Sequence, residues 1–166
     1  YKTLRVLGRG AFGTALLVRS APTATLAVLK RLSLAHMSQD ERDKALNECK
    51  VLRKLRRHPN VITILEHFVD DRQLWIAMDY ADGGDLAQRI ESQRSLGGEP
   101  FAEAQVVDWI TQLSLALKHA HDRRVLHRDI KPQNIFLSGG HVRLGDFGIS
   151  KVLGSTMSVA STWVGT

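Results

Sequence analysis

One short stretch, His-Arg-Asp-Ile-Lys-Pro-Gln-Asn at positions 127–134, constrains this chain more than any other. It is followed by two apolar segments that flank Gly139-Gly140, a pattern that predicts a β-hairpin, and then by an Asp-Phe-Gly triplet that begins at Asp146. Because a hairpin brings its two ends together, Asp129, Asn134 and Asp146 can converge on one spot. Phosphoryl transfer needs such a set, with one carboxylate to orient a hydroxyl and an amide with a second carboxylate to hold a divalent metal ion.

Composition narrows the class of protein and its partners. The chain has 166 residues, 43% of them hydrophobic and 24% charged, which suits one or two small globular units. Its only cysteine, Cys49, excludes an internal disulfide and fits a reducing compartment. The net charge is +6, but the basic residues are spread along the chain, and the one cluster, at 53–58, has no aromatic residues among them. We therefore expect no nucleic acid and no membrane among its partners.

A glycine-rich run, Gly8-Arg9-Gly10-Ala11-Phe12-Gly13, lies between two predicted strands at Lys2 to Leu7 and Thr14 to Arg19. Three glycines let the backbone approach a phosphate group, and their N–H groups can face its oxygens. Dinucleotide-binding loops share this spacing, but such a loop opens a helix, whereas a strand follows here. Taken by itself, the run is better explained as an ordinary glycine hairpin.

A lysine at the end of the third predicted strand favours a phosphate-binding role for the glycine-rich run. Lys30 follows the apolar residues 26–29, where it could contact phosphates or simply reach water. The next segment, Ser38-Gln39-Asp40-Glu41, matches a capping box that starts a helix. Glu41 is occupied by the cap, whereas Glu48 lies beside the apolar face of this helix. We therefore expect Lys30 to contact nucleotide phosphates and to form an ion pair with Glu48.

The remaining segments predict an α+β organisation. Two further strands, Val61 to Phe68 and Leu74 to Met78, precede a polar, glycine-bearing break at 79–84. A short helix opened by Asp85 and a long helix from Glu103 to about His121 follow it. We place a boundary at the break, with a cleft between a strand-rich part and a helical part.

These motifs occur in the order of a eukaryotic protein kinase domain, and the chain resembles that family over all 166 residues. Lys131 is typical of its serine/threonine class. Met-Asp-Tyr-Ala-Asp-Gly-Gly-Asp-Leu at 78–86, Gln-Asn-Ile-Phe-Leu at 133–137 and Thr-Trp-Val-Gly-Thr at 162–166 further resemble the NIMA-related (NEK) kinases. The resemblance implies a protein kinase that transfers the ATP γ-phosphate to Ser/Thr hydroxyls of protein substrates, with Mg²⁺ as the metal ion.

The resemblance also implies an architecture. It is a two-lobed protein-kinase-like fold, with a complete β-rich N-lobe at 1–81 and a partial helical C-lobe at 82–166. The match breaks off before the Pro-Glu segment and the central helix of the family's lower lobe. We therefore expect the long helix to expose an apolar face, and this chain by itself to be inactive. A cytoplasmic location is implied, with cytoskeletal, centrosomal or ciliary association suggested by the family only; the oligomeric state is unknown.

The resemblance assigns a role to each motif residue. The catalytic residues would be Asp129, which orients the substrate hydroxyl, Lys131, Lys30 and Glu48. The metal ligands would be Asn134 and Asp146. The regulatory residues would be Arg128 and the hydroxyl residues Thr162 and, as second choice, Ser161. The nucleotide would be bound by Leu7, Gly8, Arg9, Gly10, Ala11, Phe12 and Gly13, by Ala15, Val28 and Phe136 around the adenine, by Met78 as gatekeeper, and by the backbone of Asp79 and Ala81.

Two other functions stay open on the sequence. A non-catalytic nucleotide-binding module, similar to a pseudokinase, would fit the early end of the match, although the metal and phosphate residues are intact. A small-molecule phosphotransferase would share the lobed layout. Such an enzyme would not need the hydroxyl-rich segment from Ser155 to Thr166.

Overall fold

In the computed structural model, residues 1–10, 13–55 and 58–147 are described, and they form a five-stranded sheet, three α-helices and a two-stranded hairpin. The helices are α1 (Gln39–Leu52), α2 (Leu86–Ser95) and α3 (Glu103–His121). The strands are β1 (Lys2–Gly10), β2 (Gly13–Arg19), β3 (Leu26–Ser33), β4 (Ile64–Asp70), β5 (Gln73–Asp79), β6 (Ile135–Ser138) and β7 (His141–Leu144). This order confirms the predicted α+β fold.

The sheet has the spatial order β1-β2-β3-β5-β4, and every neighbouring pair is antiparallel. The predicted fourth strand starts late, at Ile64 rather than Val61. The residues before it pair with β7 instead, since Ile62 N donates to Leu144 O and Leu144 N donates to Asn60 O. A segment expected to extend the sheet therefore ties the sheet to the hairpin.

The helix α1 begins where the sequence predicted. Ser38 Oγ accepts a hydrogen bond from Glu41 N, and the Glu41 carboxylate accepts one from Ser38 N, so the capping box is complete. Ala45, Cys49 and Leu52 recur at helical spacing and are buried, which packs this face of α1 into the core.

The helices α2 and α3 also follow local signals. Asp85 Oδ1 accepts from Gln88 N at 2.8 Å and caps α2. In α3, Trp109 and Ala116 are buried, whereas Ile110 is 59% exposed, so this helix exposes apolar side chains as expected. None of the helices in the described part of the chain is both long and apolar enough to cross a membrane.

One hydrophobic core joins the sheet to the helical part. Leu74 and Ile76 of β5 are fully buried in the same cluster as Val142 and Leu144 of β7 and Val61 from the loop before β4. The hairpin β6–β7 therefore shares one hydrophobic core with the sheet.

Candidate active site

A cleft of about 620 Å³ lies between the five-stranded sheet and the segment that follows β5. Most of the predicted nucleotide-binding residues meet there, although they come from separate strands and loops. The predicted residues that line it are Leu7, Gly8, Ala15, Val28, Lys30, Met78, Asp79, Ala81, Phe136 and Asp146. A volume of this size suits a small-molecule or cofactor site.

The described glycines of the glycine-rich run end β1 and begin β2, with Gly10 paired to Gly13. Gly13 has φ +143°, and a Cβ at this position would collide with the carbonyl oxygen of Arg31 on β3. Only glycine fits so close to the strand that carries Lys30. Arg9 is an exposed residue of β1, and Ala11 and Phe12 lie outside the described residues.

The hairpin β6–β7 brings the predicted catalytic residues together. Asn134 Nδ2 donates to Asp129 O at 2.7 Å and to Asp129 Oδ2 at 3.0 Å. Lys131 Nζ lies 2.8 Å from the same Asp129 Oδ2. Gly145 N donates to Asn134 O at 2.9 Å, which places the next residue, Asp146, beside this cluster. Asp129, Asn134 and Asp146 thus converge, as the hairpin geometry predicted.

The predicted ion pair between Lys30 and Glu48 is not formed in this structure. Lys30 Nζ pairs with Asp146 Oδ1, and Glu48 has no ion pair within the described ranges. The reason lies in which residues share the cleft. Lys30 and Asp146 both line it, whereas Glu48 lies on α1, is half-exposed and is not among the residues that line the cleft.

His127 connects the catalytic loop to the Asp-Phe-Gly triplet. Its side chain is 2% exposed, its Nε2 lies 2.6 Å from Gly145 O, and its Nδ1 accepts from Asp129 N at 3.3 Å. Only the neutral ring with a proton on Nε2 satisfies both contacts. Burial lowers the pKa of His127, which favours this form. The sequence prediction gave His127 no role, although it opens the motif.

The donor set at Asn134 and Asp146 fits a magnesium ion. The two described hydrogen bonds of Asn134 Nδ2 go to Asp129, so the carbonyl oxygen Oδ1 would be the atom that holds a metal ion. Amide and carboxylate oxygens suit Mg²⁺, which keeps water and phosphate oxygens as its other ligands. Within residues 1–10, 13–55 and 58–147, no group of three or more His, Cys, Asp or Glu could hold a metal ion. Asn134 and Asp146 would therefore supply two of the oxygen ligands of a Mg²⁺ ion.

Two residues of this region have left-handed backbones, Arg128 with φ +67° and Asp146 with φ +53°. Residues other than glycine rarely adopt this conformation, and such residues cluster at functional sites. The regulatory candidates Ser161 and Thr162 lie outside the described residues.

Sequence reasoning missed several residues that line the cleft. They come from β1, from the loop before β4, from the break after β5 and from the start of α2: Arg5, Ile62, Tyr80, Asp82, Gly83, Gly84, Asp85 and Gln88. Two signals could have found some of them. Arg5 lies two positions before Leu7, hence on the same face of β1. The sequence pattern predicts a linker at Gly83 and Gly84, although a close backbone approach also requires glycine.

Comparison with known proteins identifies the class. The sequence matches the protein kinase domain over residues 1–166. The chain is 47% identical to the serine/threonine-protein kinase Nek1 of Mus musculus and 43% identical to Nek5 of Homo sapiens, over its whole length in both cases. It spans 14% of Nek1 and 23% of Nek5.

A solved structure shows the same fold. The chain superposes on a mutant form of the Mycobacterium tuberculosis PknI kinase domain with a TM-score of 0.76 and 33% sequence identity. The match covers 90% of this chain and 59% of that one. The chain belongs to the protein kinase domain family, and its relatives confirm the predicted resemblance to the NIMA-related kinases.

Proposed function

We propose that this chain carries the nucleotide-binding and catalytic residues of a NIMA-related protein serine/threonine kinase. Its reaction is transfer of the ATP γ-phosphate to Ser or Thr hydroxyls of protein substrates. The observation that carries this proposal is the cluster in which one Asp129 oxygen contacts both Lys131 and Asn134, next to Asp146 and Lys30. A general base, a cation and two metal ligands at the edge of one cleft are what phosphoryl transfer requires.

The cluster gives each side chain a task. Asp129 is held by Asn134 and by the amide contact to His127, so its carboxylate is fixed to orient and deprotonate a hydroxyl. Lys131 would neutralise charge on the transferring phosphoryl group. Asn134 and Asp146 would hold Mg²⁺, which supplies charge neutralisation for the phosphates. For transfer, Lys30 has to exchange Asp146 for the nucleotide phosphates, with Glu48 as its proposed partner.

The direct test replaces the proposed base. We expect Asp129→Asn in the full-length protein to lower the rate of phosphate transfer from ATP to a protein substrate by about 10²-fold or more. Binding of ATP is expected to persist, because Asp129 acts on the hydroxyl. Asp122→Asn is the matched control, since it removes an exposed carboxylate at the end of α3. An unchanged rate in Asp129→Asn would refute this role.

A non-catalytic nucleotide-binding module remains the second candidate, and one observation favours it. The ion pair between Lys30 and Asp146 occupies both groups that transfer requires. If the full-length protein binds ATP with Mg²⁺ but transfers phosphate neither to protein nor to small alcohols, this candidate replaces the kinase. Phosphate on small alcohols only would favour a small-molecule phosphotransferase.

We further propose that phosphorylation of Thr162 regulates activity through Arg128. A phosphate carries nearly two negative charges and can order a loop against an arginine. Thr162→Ala in the full-length protein is expected to lower activity several-fold while ATP binding persists. Equal activity of this variant and the parent would show that Thr162 is not the regulatory residue, which would leave Ser161 as the remaining candidate. The division into lobes at 81/82 and a cytoplasmic location, with protein substrates and no nucleic acid or membrane as partners, complete the proposal.

A further inference from the structure

The segment that follows β5 is fastened to the hairpin β6–β7 at both of its ends. At its far end, Gly83 N donates to Leu137 O at 2.8 Å and Leu137 N donates to Gly84 O at 2.9 Å. A Cβ at Gly83 would lie 2.7 Å from that same Leu137 oxygen, so the two backbones touch. The far end is thus held by main-chain contacts.

The near end is held by a side-chain ion pair. Arg143 Nη2 of β7 lies 2.6 Å from Asp79 Oδ2, and the same nitrogen donates to Val61 O at 3.2 Å. Thr63 N also donates to Asp79 Oδ2, at 3.3 Å, while Asp79 N donates to Thr63 O at 3.0 Å. In the described part of the chain, this is the one ion pair between β7 and the end of β5.

The surroundings make this pair stronger than an ordinary surface pair. The side chains of Arg143 and Asp79 are only 20% and 26% exposed, so water and salt screen the charges less than at the surface. Arg143 Nε is buried without a hydrogen-bond partner in the described residues, which is an unfavourable arrangement. The contact of Nη2 with Asp79 is therefore the main polar contact that holds the guanidinium in place.

The pair acts on the cleft through the backbone of Asp79. Asp79 and Ala81 both line the cleft, and the main chain between them runs from the end held by Arg143 toward the end held by Leu137. Phe136, which also lines the cleft, belongs to the same hairpin and pairs with Arg143 in it. One hairpin therefore contacts the backbone that would receive a planar base and also carries an aromatic residue that lines the same cleft.

We propose that Arg143 is a positioning residue for the adenine half of the nucleotide. Through its ion pair with Asp79, it holds the backbone of residues 79–81 at the spacing from Phe136 that a purine base needs. This inference rests on the proposed function, because it concerns the same ATP site. It predicts a loss confined to the base end of the ligand, since the groups proposed for the phosphates and for Mg²⁺, on Lys30, Asn134 and Asp146, make no described contact with Arg143 or Asp79.

The test compares two probes in the full-length protein, adenosine and inorganic triphosphate with Mg²⁺. We expect Arg143→Met to weaken adenosine binding about fivefold, because only part of the free energy of the lost contact reaches the ligand through the backbone, and to weaken triphosphate binding less than twofold. In turnover, the KM for ATP rises while kcat changes less than twofold. Arg143→Lys restores most of the adenosine affinity, because a single nitrogen makes both contacts in the parent. Lys118→Met, which breaks an exposed ion pair on α3, leaves both probes unchanged.

Several outcomes would overturn this inference. They are unchanged adenosine binding in Arg143→Met, equal weakening of both probes, or a rise in kcat that marks the pair as a restraint on activity. If Arg143→Met does not fold, Asp79→Asn tests the same contact, since it removes the charge and keeps the acceptor for Thr63 N. Both probes are measured by calorimetry without turnover. A parent that binds adenosine but transfers no phosphate therefore refutes the proposed function and leaves this test intact; a parent that binds neither probe refutes both.

Discussion

Replacing Asn60 should destabilise the protein, because this side chain connects the loop before β4 to α3 and β7. Asn60 is 4% exposed, and its Nδ2 donates to Gln112 Oε1 at 2.7 Å and to Val142 O at 2.8 Å. Gln112 Oε1 also accepts from Val142 N at 2.9 Å, so one amide pair satisfies both main-chain groups of a buried residue. The contact joins three elements that are far apart in the sequence.

The magnitude follows from the contacts that Asn60→Ala removes. Two hydrogen bonds contribute about 1 kcal/mol each. Val142 O is left buried and loses its side-chain partner, which adds about 1 kcal/mol more. We therefore expect the free energy of unfolding to fall by about 2–3 kcal/mol. Gln112 Oε1 keeps its bond from Val142 N, so the loss stays within this range.

Urea unfolding followed by circular dichroism measures this change through the midpoint at constant m-value. Asn47→Ala is the matched control, because Asn47 is exposed on α1 and alanine has the higher helix propensity. This control should change the free energy of unfolding by less than about 0.5 kcal/mol. If Asn60→Ala costs no more than Asn47→Ala, the amide network does not hold these elements together. A double mutant with Gln112→Ala should cost less than the sum of the single changes.

Two further expectations concern the thiol chemistry of Cys49 and the stability of the protein in acid. Burial, with a smaller effect of Glu48, raises the pKa of Cys49 to about 12. At pH 8, a thiol reagent should therefore label the folded protein about 10³-fold more slowly than the urea-unfolded chain. Equal labelling rates would contradict this prediction. The pKa of His58 is lowered by burial and by the nearby charges of His119 and Arg123. The unfolded state therefore binds a proton at a higher pH than the folded state does, and the free energy of unfolding falls as the pH drops below about 6.5. His58→Asn should reduce this acid loss, whereas the exposed His36→Asn should leave it unchanged; identical pH profiles for both variants would exclude His58 as a cause.

Local patterns accounted for much of the fold and the site. The capping box at Ser38 begins α1, Asp85 begins α2, and the long periodic segment forms α3 from Glu103 to His121. The hairpin signal at Gly139-Gly140 was enough to predict that Asp129, Asn134 and Asp146 meet. Each of these depends on residues close in sequence, whose backbone preferences and hydrogen bonds are decided locally.

The ion pairs in the site were decided by the tertiary structure. The sequence offered Glu41 and Glu48 as partners of Lys30, whereas the structure pairs Lys30 with Asp146, which follows the strand β7. The late start of β4 has the same origin, since residues 60–62 pair with a strand that comes much later in the chain. A sequence pattern does not contain the distance between two charges on separate elements.

The motif around Asp129 shows most clearly what the sequence determines and what the tertiary structure determines. By itself, the sequence determined which side chains are available, their order, and the hairpin that brings Asp129, Asn134 and Asp146 together. Only the tertiary structure decided that Asp146 pairs with Lys30, and that Arg143 reaches Asp79. The physical reason is that covalent geometry constrains neighbours along the chain, whereas a contact between distant residues depends on how the whole core packs around them.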